Sequence, residues 1–160
     1  MDLYSDLVGS EGRAARWASI VQTRTTDATV EPVSRADLKL HAVVDSDLVD
    51  DDALIDALIK VARQRLEDAA GIAMITQTWA FRLDAFPAGA SPIYVPRPPL
   101  ISVTSIQYVD TAGVTQTISS SLYLVDTNSK PGRITPAYGE TWPSIREQMN
   151  AVTVTVQAGS

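Results

Sequence analysis

"RLEDAAGIAMITQTWAFRLDAF", residues 65–86, changes period at Gly71. Upstream of the glycine, Leu54, Ile55, Leu58, Ile59, Ala62, Leu66 and Ala69 recur at helical spacing and fall on one stripe. The stripe predicts an amphipathic helix from about residue 51 to 70. Its expected buried face is Leu54, Leu58, Ile59, Ala62 and Leu66, with Asp56, Lys60, Arg63 and Glu67 toward solvent. Asp56 and Lys60 form a favourable i,i+4 pair. Arg65 sits near the stripe's edge, and Gly71 suits the left-handed residue that ends a helix. Downstream, Gln77, Trp79, Phe81 and Leu83 alternate with Thr78, Ala80, Arg82 and Asp84, the period-two pattern of a strand with one bulky face.

Working outward, Ser34 followed by Asp37 reads as a helix start, with a short helix from Arg35 to about Ala42. The aspartates between 45 and 52 suit the N-terminus of the next helix, where free N–H groups and the macrodipole favour negative charge. Past residue 86, strands are expected at 93–95, 101–109, 114–118, 122–125, 133–135 and 151–157. "DTAG" (110–113), "NSKPG" and "AYGETWPS" form the turns. Residues 1–32 read as an N-terminal leader or arm, with a short helix around 14–21 and an extended "TRTTDAT". Residues 33–160 read as the main domain, with helices over 34–70 and a strand-rich part over 73–158. Helices first and strands second predict an α+β fold: a short helix, a long amphipathic helix, then antiparallel strands joined by hairpins.

One segment interrupts this pattern. "VPRPPL", residues 95–100, places three prolines around Arg97 at the start of a strand. Proline donates no ladder hydrogen bond, so the sheet must break where the strand begins. Pro96 and Pro99 also match a P-x-x-P ligand, but strands on both sides favour a structural connector over an exposed polyproline segment.

Composition removes several function classes. The 160 residues suit one domain with a real core, and 45% apolar content fits a globular chain. With no cysteine, disulfides, thiolate metal sites and cysteine nucleophiles are excluded. No apolar run is long enough to cross a bilayer, and no signal peptide is evident. A net charge of −6 opposes phosphate-driven binding of nucleic acid by the surface as a whole.

The remaining constellations are weak. A calcium loop starting at Asp45 would place Val49, Asp50 and Asp56 where an oxygen ligand, Gly and Glu belong, so the acidic run reads as a helix cap. His41 is the only histidine and lies at a short helix's end without a nucleophile context. "GSEG" lacks the spacing and the lysine of a phosphate loop. With 19 acids in the chain, carboxylate pairs for glycoside chemistry carry no information. Trp79, Phe81 and Trp142 fit a core better than a stacking platform for sugars or bases. No cofactor, metal or catalytic residue is expected.

Together, "VSRADLKLHAVVD", "DDALIDALIKVARQRLEDAAG", "ITQTWAFRLDAFP", "VPRPPLISVTSIQYVDTAGV", "PGRITP" and "WPSIREQMNAVTVTVQAG" resemble the head–tail connector, or adaptor, proteins of long-tailed bacteriophages, prophages and gene transfer agents. The matching positions include Lys39, His41, Asp45, the run Ala53–Ile55, the run Thr76–Trp79, the run Arg97–Leu100, Val103, Tyr108 and Asp110. The resemblance covers about residues 33–159 and is carried by the order and spacing of its pieces. Residues 1–32 have no counterpart in the pattern. The chain ends at "VQAGS", where such proteins continue into one or more helices.

The resemblance implies a structural virion protein and no enzyme. It would form a ring, dodecameric as is common in such proteins, below the portal vertex and join the DNA-filled head to the tail or a stopper. The implied partners are further copies of itself, the portal protein and tail-side stopper or terminator proteins. The ring would encircle DNA without binding it specifically and would touch no membrane. The place implied is the neck of a virion made in the bacterial cytoplasm. Trp17, Arg97, Pro98, Pro99 and Tyr108 are the expected interface residues, with the proline-fixed corner as a docking knob that loses little entropy when ordered. The alternative from another class is a carbohydrate- or receptor-binding β module with the tryptophans as its platform.

Overall fold

The computed structural model describes residues 20–160. Most of its regular structure is strand. The first element is β1 (Val21–Thr26), followed by helices α1 (Arg35–His41) and α2 (Asp52–Ala70). Then come β2 (Gln77–Leu83), β3 (Ile93–Val95), β4 (Leu100–Val109), β5 (Thr115–Thr117), β6 (Tyr123–Asp126), β7 (Gly132–Pro136) and β8 (Val152–Ala158). All pairings are antiparallel. A five-stranded sheet runs β1-β2-β8-β4-β5, and a three-stranded sheet runs β3-β7-β6.

The alternation of β2 and β8 explains the core. Trp79 lies opposite Val156, and Phe81 opposite Val154. Val154 in turn pairs with Ile106 of β4. These side chains leave one face of the large sheet and meet Ile93, Val95, Ile134 and Tyr123 from the small sheet in a single apolar cluster. β8 sits centrally in its sheet, and Val152, Val154 and Val156 are fully buried. β-branched side chains fit such a pleated interior surface. Gly159 closes this end of the sheet: its φ is +126°, and a Cβ there would meet the Ile75 carbonyl.

The expected α+β architecture is overturned. The described residues begin with a strand at the sheet edge, the two sheets carry the fold, and only two α-helices are present among the described residues. The long amphipathic helix packed on a core is overturned as well. Leu54, Leu58 and Leu66 of α2 are 58%, 55% and 58% exposed, and Ala62 is exposed too, whereas Arg63 and Glu67 are buried. Ile59 is the one apolar residue of α2 that is buried, and no residue of either helix joins the cluster shared by the two sheets. The reason is competition for the inward face. Acids of the 27–31 segment hold Arg63 inside, and Arg63 with the Gln77 amide of β2 holds Glu67 inside, which turns the leucines out.

Local signals around the helices do operate. The Ser34 hydroxyl accepts from the Asp37 amide at 3.1 Å and starts α1. Gly71, at φ +65°, returns its N–H to the Glu67 carbonyl and ends α2. Residues 21–26 of the expected leader form edge strand β1, paired with β2 from Val21–Arg82 to Thr26–Thr78. Residues 14–19 of the helix expected around 14–21 lie outside the described residues; Ile20 is not helical and Val21 opens β1. No helix among the described residues is long and apolar enough to cross a membrane.

Candidate functional site

The proline corner is built from the inside. Prolines cannot donate, and here they accept: the Ala73 amide bonds the Pro98 carbonyl at 3.0 Å, and the Gly159 amide bonds the Pro99 carbonyl at 2.9 Å. The Pro98–Pro99 peptide is cis. Arg97 adopts φ +64°, a left-handed conformation uncommon outside glycine. Its guanidinium is held on every side. Nε donates to Gln22 Oε1 at 3.1 Å, Nη1 to the Glu67 carbonyl at 2.9 Å and Nη2 to Asp68 at 2.8 Å. The same group stands 4.7 Å over the Trp79 ring. Arg97 therefore ties β1, the C-terminal end of α2 and β2 into one body.

A second cluster lies beneath α2. Arg63, with a fully buried side chain, donates to Glu31 at 2.7 and 3.1 Å, to Glu67 at 2.9 Å and to Asp27 at 3.1 Å. Glu67 also accepts from Gln77 Nε2 and from the Met74 amide. Asp27 receives Lys60 at 2.9 Å and Arg24 at 2.7 Å. Burial opposes the charge on Asp27, but bonds from Lys60, Arg24, the Ala28 amide and Arg63 hold its carboxyl well below the usual range. Hydrogen bonding to Glu31, against the cost of burial, pushes the Arg63 guanidinium up. At the far end, Lys39 joins α1 to α2 through Asp52 at 2.5 Å and the Leu48 carbonyl at 2.6 Å. That bond from Lys39, assisted by Arg35, lowers the Asp52 carboxyl.

Among the expected interface residues, Arg97, Pro98 and Pro99 share this corner and are half-buried. Tyr108 lies eight residues along β4 from Leu100, ~26 Å away at strand rise. It is half-buried, edge-on to Phe86 at 6.0 Å between centroids. Trp17 lies outside the described residues. Sequence reading missed Arg63, Glu67, Asp27 and Glu31, because hydrophobic periodicity assigns charged residues outward. The usable signal was the i,i+4 Arg63–Glu67 pair flanked by Ile59.

The remaining surface offers little for small-molecule chemistry. An open cleft of about 410 Å³ is lined by Asp84, Phe86, Pro87, Trp142, Pro143 and Glu147, among others. Trp142 stacks on Phe86 at 4.9 Å and donates to the Ser91 carbonyl, while Trp79 is buried, so among the described residues the two tryptophans present no shared platform for sugars. Among the described residues no three His, Asp or Glu side chains converge as metal ligands would. Asp45, Asp47, Asp50 and Asp51 line an exposed loop.

No protein-family model matches the sequence, and no curated protein matches it. Solved structures do share the fold. A chain in the neck of an empty GTA particle, computed with C6 symmetry, superposes with a TM-score of 0.67 at 23% identity, over 87% of this chain and 71% of that one. A chain in the neck of a native GTA particle, computed with C12 symmetry, gives 0.63 at 22% identity, over 87% and 69%. A chain in the virion of a native gene transfer agent (GTA) particle gives 0.66 at 21% identity, over 86% and 71%.

Proposed function

We propose that this chain is a structural protein of a virion neck, one subunit of a twelve-membered ring that joins the DNA-filled head to the tail or a stopper. The observation that carries the reading is the shared fold with chains of GTA necks over 87% of this chain. The resemblance of residues 33–159 to head–tail connectors supports it independently. The expected partners are further copies of the chain, the portal protein and tail-side stopper or terminator proteins.

The physical build suits such a part. A neck subunit transmits load and needs a stiff body more than a reactive cleft. Here two sheets share one core, and polar and charged staples fix α2 to the large sheet through Glu67 and α1 to α2 through Lys39. The acidic balance of −6 would let DNA pass a channel without adhering. In this reading Pro98 and Pro99, braced from behind by Arg97, belong to the surface offered to the portal or a neighbour. Trp17 and Tyr108 are further proposed contact residues.

The test is reconstitution. Particles assembled without this protein should accumulate as filled, tailless heads beside free tails. Adding the purified protein should restore joined particles. Heads and tails that join equally well without it would refute the proposal.

A further inference from the structure

The outer ridge of α2 has no partner among the described residues. Leu54, Leu58 and Val61 stand in line at i, i+4 and i+7 and are 58%, 55% and 46% exposed. The helix cannot roll to hide them, because Ile59, Arg63 and Glu67 lock its opposite face inward. We infer that this ridge is the seam between neighbouring subunits, and that it seats on the Leu124–Tyr138 end of the small sheet of the next copy. The inference rests on the ring reading above and names its contact surface.

Three observations select a second copy as the occupant. First, three large apolar side chains, each at least 46% exposed, stand in one row along the helix, the kind of apolar centre that a subunit interface buries. Second, the chain carries another apolar patch on a different element. Leu124 is 60% exposed and Tyr138 fully exposed. The Tyr123–Pro136 pairing and the Ala137 amide on the Leu122 carbonyl at 3.0 Å place them at the same end of the small sheet, about three residues apart along the ladder. Two unlike patches on every copy are what head-to-tail closure of a ring requires, whereas a foreign ligand would need only one. Third, the charges match. Arg65 continues the ridge, Glu140 lies two residues beyond Tyr138, and both are exposed and without an ion-pair partner among the described residues.

The absence of native cysteine allows a clean test. The Leu58→Cys/Leu124→Cys double variant is oxidised both free at high concentration and after mixing with portal-bearing, DNA-filled heads. The seam predicts a ladder of covalent multimers that neither single variant gives. It also predicts at least a tenfold loss of head joining in Leu58→Asp and in Leu54→Asp, with melting temperatures near wild type. If wild type joins heads, the double variant gives no ladder and both aspartate variants join normally, the seam is wrong while the neck reading stands. A ladder from protein that never joins heads leaves the seam standing and removes the neck reading. Neither ladder nor joining overturns both.

Discussion

The guanidinium of Arg97 stands 4.7 Å over the ring of Trp79, and the same arginine reaches Gln22, Asp68 and the Glu67 carbonyl. The rigidity of the proline corner thus serves to aim a cation inward. A left-handed φ at a non-glycine residue costs on the order of 1–3 kcal/mol and persists only where the surroundings over-determine it. Three hydrogen bonds and a stacked ring do so here.

Arg97→Ala should therefore destabilise the chain by about 2 kcal/mol, chiefly through the lost stacking and the bond to the Glu67 carbonyl. The exposed Asp68 contributes little to that loss. Arg97→Lys should recover less than half of it, because an ammonium cannot reach three acceptors in a fixed plane. Urea denaturation measures both.

The buried pair under α2 makes a second prediction. Arg63 and Glu67 have fully buried side chains. Removing one partner strands the other, so Arg63→Ala should cost about 3–5 kcal/mol. Replacing both with apolar residues of similar volume should cost less than the single change. A double-mutant cycle read by denaturation separates the two cases.

Asp27 sets an acid limb. Its folded carboxyl is held below the ordinary value, so its contribution is present above pH about 4 and is lost as pH falls toward the folded value. The unfolding midpoint should drop below pH about 4 in wild type. Asp27→Asn should start lower and fall less steeply over the same range.

The α2 ridge and the sheet core should respond oppositely to truncation. Leu58→Ala removes a side chain that is 55% exposed and should cost less than about 0.5 kcal/mol in the monomer. Ile134→Ala removes a fully buried one and should cost about 2–5 kcal/mol.

These contrasts show what the sequence can and cannot reveal. The period-two run at 77–83 is β2, and the "DTAG" turn is closed by Asp110, whose carboxylate accepts from Ala112 and Val114. Such signals are local and need no knowledge of the partner strand. The role of β1 was not legible in this way. Its pattern of threonines around Arg24 acquires a place only when β2 offers an edge. Nor could periodicity orient α2, since it weighs apolar residues and ignores the acids of 27–31 that neutralise Arg63 from another part of the chain. The inward aim of Arg97 depends likewise on three elements far apart in sequence.

The ring itself is tested most directly by cryo-electron microscopy of portal-bearing, DNA-filled heads incubated with the purified protein. The account predicts a ring of twelve copies immediately below the portal, encircling the channel, into which the two-sheet body fits. Heads that carry no added density, or copies bound to the capsid shell or elsewhere on the particle, would contradict it.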